Sequence, residues 1–133
     1  MSKKIYDKLY PKDPSYEDVA FYLRLKTLDF VTYSHLKIRP CLRNDKMWEL
    51  AGRQLRMMDK VKTAGEKLNC INECIKIIVN SYHLINDSDD PASAEDIYPL
   101  VVYVLIKAAP KRMISNMTYF IVYQQRFIEY FAN

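Results

Sequence analysis

Glycine is nearly absent from this chain, which has only Gly52 and Gly65 among its 133 residues. Turn-rich β-sandwiches and barrels use glycine wherever a tight turn needs a positive φ angle, so this scarcity argues against them. Half of the residues are apolar, which is enough for the core of one domain of this length. The sequence therefore predicts an all-α domain at 15–133, after a charged, proline-containing and irregular lead-in at 1–14.

Apolar residues recur at helical spacing and divide the chain into about six helical segments. Capping-box pairs mark three helix starts, and these pairs are Ser15 with Asp18, Thr63 with Glu66, and Ser93 with Asp96. The predicted segments are a helix at 15–29, a short helical turn at 32–36 closed by Pro40, a helix from Asn44 or Asp45 to about 60, and helices at 63–85, at 93–109 and from 115 onward.

The 63–85 segment is predicted to be a central helix, because its apolar stripe is the longest in the chain. The residues expected inside are Leu68, Ile71, Cys74, Ile75, Ile78, Val79, Tyr82 and Ile85. The next helix is apolar nearly all round and is expected to lie buried between neighbours. In the last helix, the core positions are expected to be Met117, Phe120, Ile121 and Phe127, with Tyr119 and Tyr123 also available to the core.

Three cysteines, Cys41, Cys70 and Cys74, are an odd number with no signal peptide before them, and this favours free thiols in a reducing cytoplasm. Cys70 and Cys74 are four residues apart and could share one helix face, as two zinc ligands do. Neither His35 nor His83 completes a ligand spacing, however. We expect buried thiols, and no metal or cofactor.

The charges are unevenly distributed. Residues 37–62 contain eight basic and three acidic side chains. Such an excess of basic residues is typical of a solvated helix face or, as an alternative, of a weak contact with a membrane surface. Residues 86–96 contain five acidic side chains and no basic one, which points to a protein partner. No motif for reading nucleic acid is present, so we expect no nucleic-acid partner.

Motifs for covalent catalysis are also missing, because the chain has no phosphate-binding loop, nucleophile elbow or metal-spaced histidine pair. The longest apolar run, 97–109, contains Lys107 and falls short of the roughly twenty residues that cross a bilayer. We therefore expect a binding module with a core helix at 97–109.

The segment that begins at residue 91, PASAEDIYP followed by LVVYVLIKAAPKRMISNMTYF, resembles the Vps-nine domain of exchange factors for Rab-five-like GTPases. The positions that match the family pattern are Ala94, Glu95, Asp96, Pro99, Tyr103, Ile106, Lys107, Ala108, Pro110, Ser115, Asn116 and Tyr119. Upstream, GEKLNCINECIKII, HLKI and WELAGRQL resemble the family's earlier helices, so the likeness covers about 16–123.

The resemblance implies a layered helical bundle in the cytoplasm that is recruited to endosomal membranes. Its implied partner is a Rab-five-like GTPase in the GDP-bound and nucleotide-free states, from which it releases GDP without covalent chemistry. The implied catalytic acids are Glu95 and Asp96, and the implied GTPase-binding residues are Pro99, Tyr103 and Tyr130.

Two departures from the family pattern bear on activity. The family typically has Asp where this chain has Glu95, and its C-terminal Tyr-Phe-x-Thr-Asn segment has only a shortened counterpart at 130–133. The domain is therefore expected to be truncated at its C-terminal end. Asp96 also has a simpler interpretation as the capping partner of Ser93, and Glu95 as a surface acid favoured by the helix dipole. The alternative functions are a GTPase-binding domain without exchange activity and a helical scaffold.

Overall fold

The computed structural model describes residues 12–86 and 92–132, except the side chains of 127, 131 and 132. Within these ranges the chain forms five α-helices, one 3₁₀ turn at Pro40–Leu42, and no strand. The helices are α1 (Tyr16–Thr27), α2 (Asp45–Met57), α3 (Ala64–Asn86), α4 (Ala94–Ala108) and α5 (Met113–Ala132). The predicted all-α class is confirmed. Most of the predicted lead-in and of the acidic loop at 86–91 lies outside the described residues.

The helix starts follow the predicted capping chemistry. Ser15 and Asp18 form a complete capping box at α1, and Ser93 and Asp96 form another at α4. At α2 the Asn44 side chain accepts hydrogen bonds from two backbone N–H groups. These contacts satisfy donors of the first turn that have no partner inside the helix.

Some predicted boundaries differ from the structure by a few residues. At the predicted helical turn at 32–36, residues 33–37 form hydrogen-bonded turns but no continuous helix, and they end at Lys37 with a φ of 57°. Pro40 begins the 3₁₀ turn instead of closing a helix, a position that suits a residue with a preset φ and no N–H. The last helix starts at Met113, two residues before the predicted start.

The main core lies where α2, α3 and α4 pack on one another. Trp48 of α2 is buried there, and its Nε1 donates to the carbonyl oxygen of Leu42 at 2.8 Å. Gly52 allows α2 and α4 to approach closely, because a Cβ added to it would lie 3.0 Å from the Cβ of Ala108. The close approach explains why one of only two glycines stands in the middle of a helix.

Asp18 ties α1 to α5 from a buried position that the sequence did not predict. Its carboxylate accepts hydrogen bonds from the backbone N–H of Ser115 at 2.8 Å, from the Ser115 hydroxyl, and from the backbone N–H of Ser15 at 2.9 Å. Burial by itself raises the pKa of Asp18, but the hydrogen bonds from Ser115 and Ser15 outweigh it, so the net pKa lies below the usual value.

A second buried polar cluster joins α3 to the end of α2 and the start of α5. The Lys67 ammonium donates to the Met58 carbonyl oxygen at 2.7 Å and to Asn116 Oδ1 at 2.8 Å. The Asn116 amide in turn donates to Asp59 Oδ1 at 2.9 Å. Burial lowers the pKa of Lys67 to about 8, with the Asp59 carboxylate acting in the opposite direction.

Several apolar residues predicted to be buried are exposed. They are Leu68 and Ile75 of α3, Val102 of α4 and Ile121 of α5. The reason is geometric, because apolar residues cover more of each helix than its neighbours can contact, and only the sides facing another helix are buried. The expectation that α4 is buried all round is therefore wrong. Phe127 lies outside the described side chains.

Among the described residues, no helix combines the length and the apolar character needed to cross a bilayer. The 97–109 run lies in and just after α4, whose buried residues include Leu100, Val104 and Ile106. This confirms it as a core segment.

The thiols provide a test of the core. Cys70 and Cys74 are buried, whereas Cys41 is exposed. Burial raises the pKa of both buried thiols, and that of Cys74 rises to about 11. We expect a chromogenic disulfide reagent at pH 8 to modify one thiol quickly and the other two only after denaturation. Cys41→Ser is the control and should remove the fast phase. A remaining fast phase, or stoichiometric zinc in the purified protein, would contradict this placement.

Asp18 provides a test of the tie between α1 and α5. Asp18→Ala should lower the free energy of unfolding by about 2 to 4 kcal/mol, because it leaves buried donors of Ser115 without an acceptor. The folded-state pKa lies below the unfolded value of 3.8, so the stabilisation is present above about pH 4 and is lost as the pH falls through the folded pKa. Urea unfolding at several pH values measures both effects. Glu17→Ala, an exposed acid in the same turn, is the matched control and should cost far less.

Candidate functional site

The first turn of α4 carries the predicted acids Glu95 and Asp96, directly after the Ser93 cap. The positive end of the helix dipole favours carboxylates in this turn. Pro99 lies inside the helix one turn later. Since proline has no N–H, it cannot donate the helical hydrogen bond to the carbonyl oxygen of Glu95, and the first turn depends more heavily on side-chain bonds.

Asp96 is held by several hydrogen bonds. Its Oδ2 accepts from the Ser93 hydroxyl at 2.8 Å and from the Ser93 backbone N–H at 3.2 Å. The pKa of Asp96 is lowered first by the bonds from Ser93 and then by the nearby Tyr82 hydroxyl and the charge of Arg39. Asp96 is therefore an anchored carboxylate.

Glu95 is exposed and lines a small pocket of about 140 Å³ between the first turn of α4, the end of α3 and the segment before the 3₁₀ turn. The remaining lining residues include two basic side chains, Lys37 and Arg39. Arg39 donates to Asn86 Oδ1 at 2.6 Å, and its guanidinium carbon lies 5.9 Å from the ring centroid of Tyr82. The pocket thus places acids of one helix beside bases of a preceding loop.

Tyr103 lies two turns further along α4 and is only 7% exposed. Its ring stacks on Tyr33 at a centroid distance of 4.3 Å, and both hydroxyls donate to Asp45 Oδ1 at the start of α2. Burial and the bond to Asp45 raise the pKa of Tyr33 well above its usual value. Tyr103 therefore forms part of the wall of a second groove.

This second groove has a volume of about 500 Å³ and lies between α2 and α4. It is lined by Asp45, Lys46, Trp48, Glu49, Gly52, Tyr103, Lys107 and Ala108. Lys107 extends from the buried helix to solvent, where its ammonium donates to the carbonyl oxygen of Asp29 at 2.7 Å. The groove and the pocket at Glu95 follow the same side of α4.

The structure brings three of the five predicted site residues together. Glu95, Asp96 and Pro99 line one pocket, whereas Tyr103 lines the neighbouring groove. Tyr130 is 70% exposed near the C-terminal end of α5, and it lines neither of these cavities.

Sequence reasoning missed Tyr82 and Arg39 as parts of the site. It assigned Tyr82 to the apolar stripe of the central helix, and the ring is indeed buried. One signal was available in the sequence. A tyrosine that is predicted to be buried needs a polar neighbour for its hydroxyl, so Tyr82 could have been expected to lie near a polar site. Arg39 had no sequence signal beyond its membership of the basic segment at 37–62.

The chain matches the family model described as the Vacuolar sorting protein 9 (VPS9) domain over residues 48–128. The match begins at Trp48 in α2 and ends at Ile128 in α5, and it includes the whole of α3 and α4. It therefore covers the two acids, Pro99 and the helices that position them.

Curated relatives agree with this match. The chain is 38% identical over 97 residues to receptor-mediated endocytosis protein 6 of Caenorhabditis briggsae, which covers 73% of this chain and 8% of that protein. It is 28% identical over 130 residues to vacuolar protein sorting-associated protein 9A of Oryza sativa, covering 92% and 27% of the two chains. It is 29% identical over 113 residues to the human Rab5 GDP/GTP exchange factor, covering 80% and 22%. The chain thus spans between 8% and 27% of the length of these relatives.

The different bonding of the two acids predicts that Asp96 contributes more to stability than Glu95 does. Asp96→Ala should lower the melting temperature by a few degrees, because it removes the capping box of α4. Glu95→Ala should change it little, since an exposed side chain in the first turn contributes only through the helix dipole. Thermal unfolding followed by circular dichroism measures both. Equal destabilisation by the two variants would mean that Glu95 also has a structural role.

Proposed function

Because the chain belongs to the VPS9 domain family, we propose that it accelerates the release of GDP from a Rab5-like small GTPase without covalent chemistry of its own. The match over residues 48–128 supports this most strongly. Relatives that are similar to this chain are named as a Rab5 GDP/GTP exchange factor and as a receptor-mediated endocytosis protein. The proposed setting is accordingly the cytoplasmic side of endosomal membranes.

Glu95 is the proposed acidic finger. A GTPase holds its nucleotide through a phosphate-loop lysine and a Mg²⁺ ion, so release requires another anion for that lysine. The Glu95 side chain is exposed at the positive end of α4, beside a pocket rather than inside one. A carboxylate about 4 Å from the lysine ammonium contributes on the order of 4 kcal/mol at an effective dielectric constant of 20, before desolvation.

The module and the nucleotide bind to the same GTPase, and thermodynamic linkage between these two binding events converts the contact into exchange. The carboxylate of Glu95 and the phosphates of the nucleotide compete for the same lysine, so the module binds the nucleotide-free GTPase more tightly than the loaded one. It must then weaken nucleotide binding by the same factor. A complex with the GDP-bound GTPase is the first step, and the nucleotide-free complex follows.

The other predicted site residues have supporting roles in this proposal. Asp96 anchors the first turn of α4 and stays close to the finger, and Pro99 contributes apolar surface beside it. Tyr103 lines the groove between α2 and α4, and in this proposal a side chain of the GTPase contacts it there. Tyr130 is exposed and contributes a contact at the end of α5.

Membrane contact has a minor place in the proposal. Within the basic segment, Arg53 and Arg56 both pair with Glu49. The Glu49 carboxylate offsets part of the positive charge that this segment presents to anionic lipid. Recruitment to endosomes would then come mainly from the GTPase and only weakly from lipid.

A second candidate function is binding of the GTPase without exchange. The glutamate at position 95 favours it, because the family pattern described above typically has aspartate there. The extra methylene allows the carboxylate to reach the lysine only through a longer and less ordered side chain, which weakens the contact. A helical scaffold with no GTPase partner is a more distant alternative.

Release of a fluorescent GDP analogue from a panel of Rab GTPases tests the proposal. We expect acceleration with a Rab5-like member, loss of activity in Glu95→Ala, and higher activity in Glu95→Asp. Glu17→Ala is a matched control, since Glu17 is also an exposed glutamate in the first turn of a helix.

Each contrary result has a separate meaning. Capture of the nucleotide-free GTPase with no release of nucleotide indicates the binding-only function. Full activity in Glu95→Ala would rule out the finger role. Lower activity in Glu95→Asp would show that this chain and its partner are adapted to the longer side chain.

A further inference from the structure

Lys37 has a backbone conformation that is uncommon for a lysine. Its φ is 57°, in the left-handed region, which glycine adopts without strain and asparagine adopts more readily than most residues. Among the described residues the other one with a positive φ is Ala109, whose side chain is a single methyl group at the end of α4. Lys37 is therefore the place where the described chain combines a left-handed backbone with a long side chain.

The hydrogen bonds around Lys37 explain the backbone but not the side chain. Its N–H donates to the carbonyl oxygen of Ser34 at 3.1 Å, and the N–H of Ile38 donates to that of Tyr33 at 3.0 Å. This pair of bonds is the pattern of a Schellman motif, which usually has glycine at the left-handed position. Ile38 is 4% exposed and belongs to the main core, so the turn is fixed. The fold needs this backbone, and glycine or asparagine would provide it with less strain than lysine.

The Lys37 side chain is exposed and lines the pocket that also contains Glu95. Within the part of the chain that the structure describes, its ammonium has no ion pair and no hydrogen bond, not even with Glu95. The other base of the pocket is already engaged, because Arg39 donates to Asn86 and lies over the ring of Tyr82. Lys37 is thus the base of this pocket whose charge remains available to a partner.

The size and charge of the pocket determine what can occupy it. Its volume of about 140 Å³ is below the roughly 300 Å³ at which sites for small molecules begin, so it suits a single side chain better than a nucleotide. Glu95 presents a negative charge and Lys37 a positive one, so a complementary surface carries a base next to an acid. In the proposed function the base is the phosphate-loop lysine, and the complement still missing is an acidic side chain.

We propose that Lys37 is a specificity-determining contact of the exchange site, whose ammonium pairs with an acidic side chain of the GTPase while Glu95 engages the phosphate-loop lysine. This inference rests on the proposed exchange function. The two opposite charges fix how the GTPase is placed against the start of α4, since a GTPase with a base in place of the acid meets Lys37 with like charge. Recognition of the partner then accounts for the strained lysine.

Lys37→Asn tests the contact, because it removes the charge and keeps a residue that tolerates the left-handed backbone. We expect the melting temperature to stay the same or rise, whereas association with a nucleotide-free Rab5-like GTPase becomes about fivefold slower at low salt. The difference from the wild type should shrink as the salt concentration rises, since salt screens an exposed charge pair. Lys37→Arg keeps the charge and should retain most of the rate. Stopped-flow fluorescence measures these rates.

The matched control is Lys60→Asn, which makes the same substitution at an exposed lysine just after α2. Lys60 lines neither the pocket at Glu95 nor the groove between α2 and α4, so its substitution should slow association much less. An unchanged association rate in Lys37→Asn would overturn the proposal. Faster association would also overturn it, since Lys37 would then compete with the GTPase for Glu95. A melting temperature several degrees lower would show instead that the fold needs the lysine side chain.

Failure of the proposed function gives a different set of results. Full exchange activity in Glu95→Ala, or no binding of any GTPase by the wild type, would reject the exchange function itself. An inactive Glu95→Ala together with wild-type association in Lys37→Asn would reject only the role of Lys37. Because association is measured with the nucleotide-free GTPase, the role of Lys37 is tested even if the protein binds without promoting exchange.

Discussion

The close packing of α2 against α4 at Gly52 determines where the candidate site can lie. Any larger residue would push the Ala108 end of α4 outward, because a Cβ at position 52 already meets the Ala108 Cβ at 3.0 Å. From that contact, Val104 and Leu100 continue the buried stripe toward the first turn. Glu95 stands in the first turn of this same helix, so small changes in the packing near Gly52 would shift the position of the acid.

Two buried polar clusters complete this frame in ways that apolar packing does not. Asp18 accepts a hydrogen bond from Ser115 near the start of α5, and Lys67 donates one to the next residue, Asn116. Both clusters therefore meet at residues 115 and 116. A buried charge is costly unless its hydrogen bonds are made, so each cluster tolerates little displacement of its partners. The clusters thus position α5 relative to α1 and α3 more specifically than the apolar contacts of these helices could.

The sequence predicted the features that depend on local chemistry. Both complete capping boxes were predicted because a serine and an acid three residues apart satisfy helix N–H groups whatever the rest of the fold does. The sequence-based prediction of burial was wrong at positions where contacts with other helices determine whether a side chain is buried. Leu68 is exposed because no neighbouring helix covers it, and Lys67 beside it is buried because Asn116 and Met58 provide acceptors from other helices. Hydrophobicity alone assigns these two neighbours the opposite way, since lysine is rarely buried without partners.

The candidate site shows the same difference between what local sequence predicts and what only the structure reveals, and here it concerns two adjacent residues. Sequence and resemblance place Glu95 and Asp96 together at a helix start, but they cannot say which of them is free. The structure distinguishes them through Ser93, whose hydroxyl and backbone N–H both donate to Oδ2 of Asp96. If Asp96 turned toward a partner's lysine, it would have to leave this position and break the capping box of α4. In the proposed function, one acid therefore keeps the helix start intact while the neighbouring exposed acid engages the partner, and this division of roles accounts for a pair of acids where one would supply the charge.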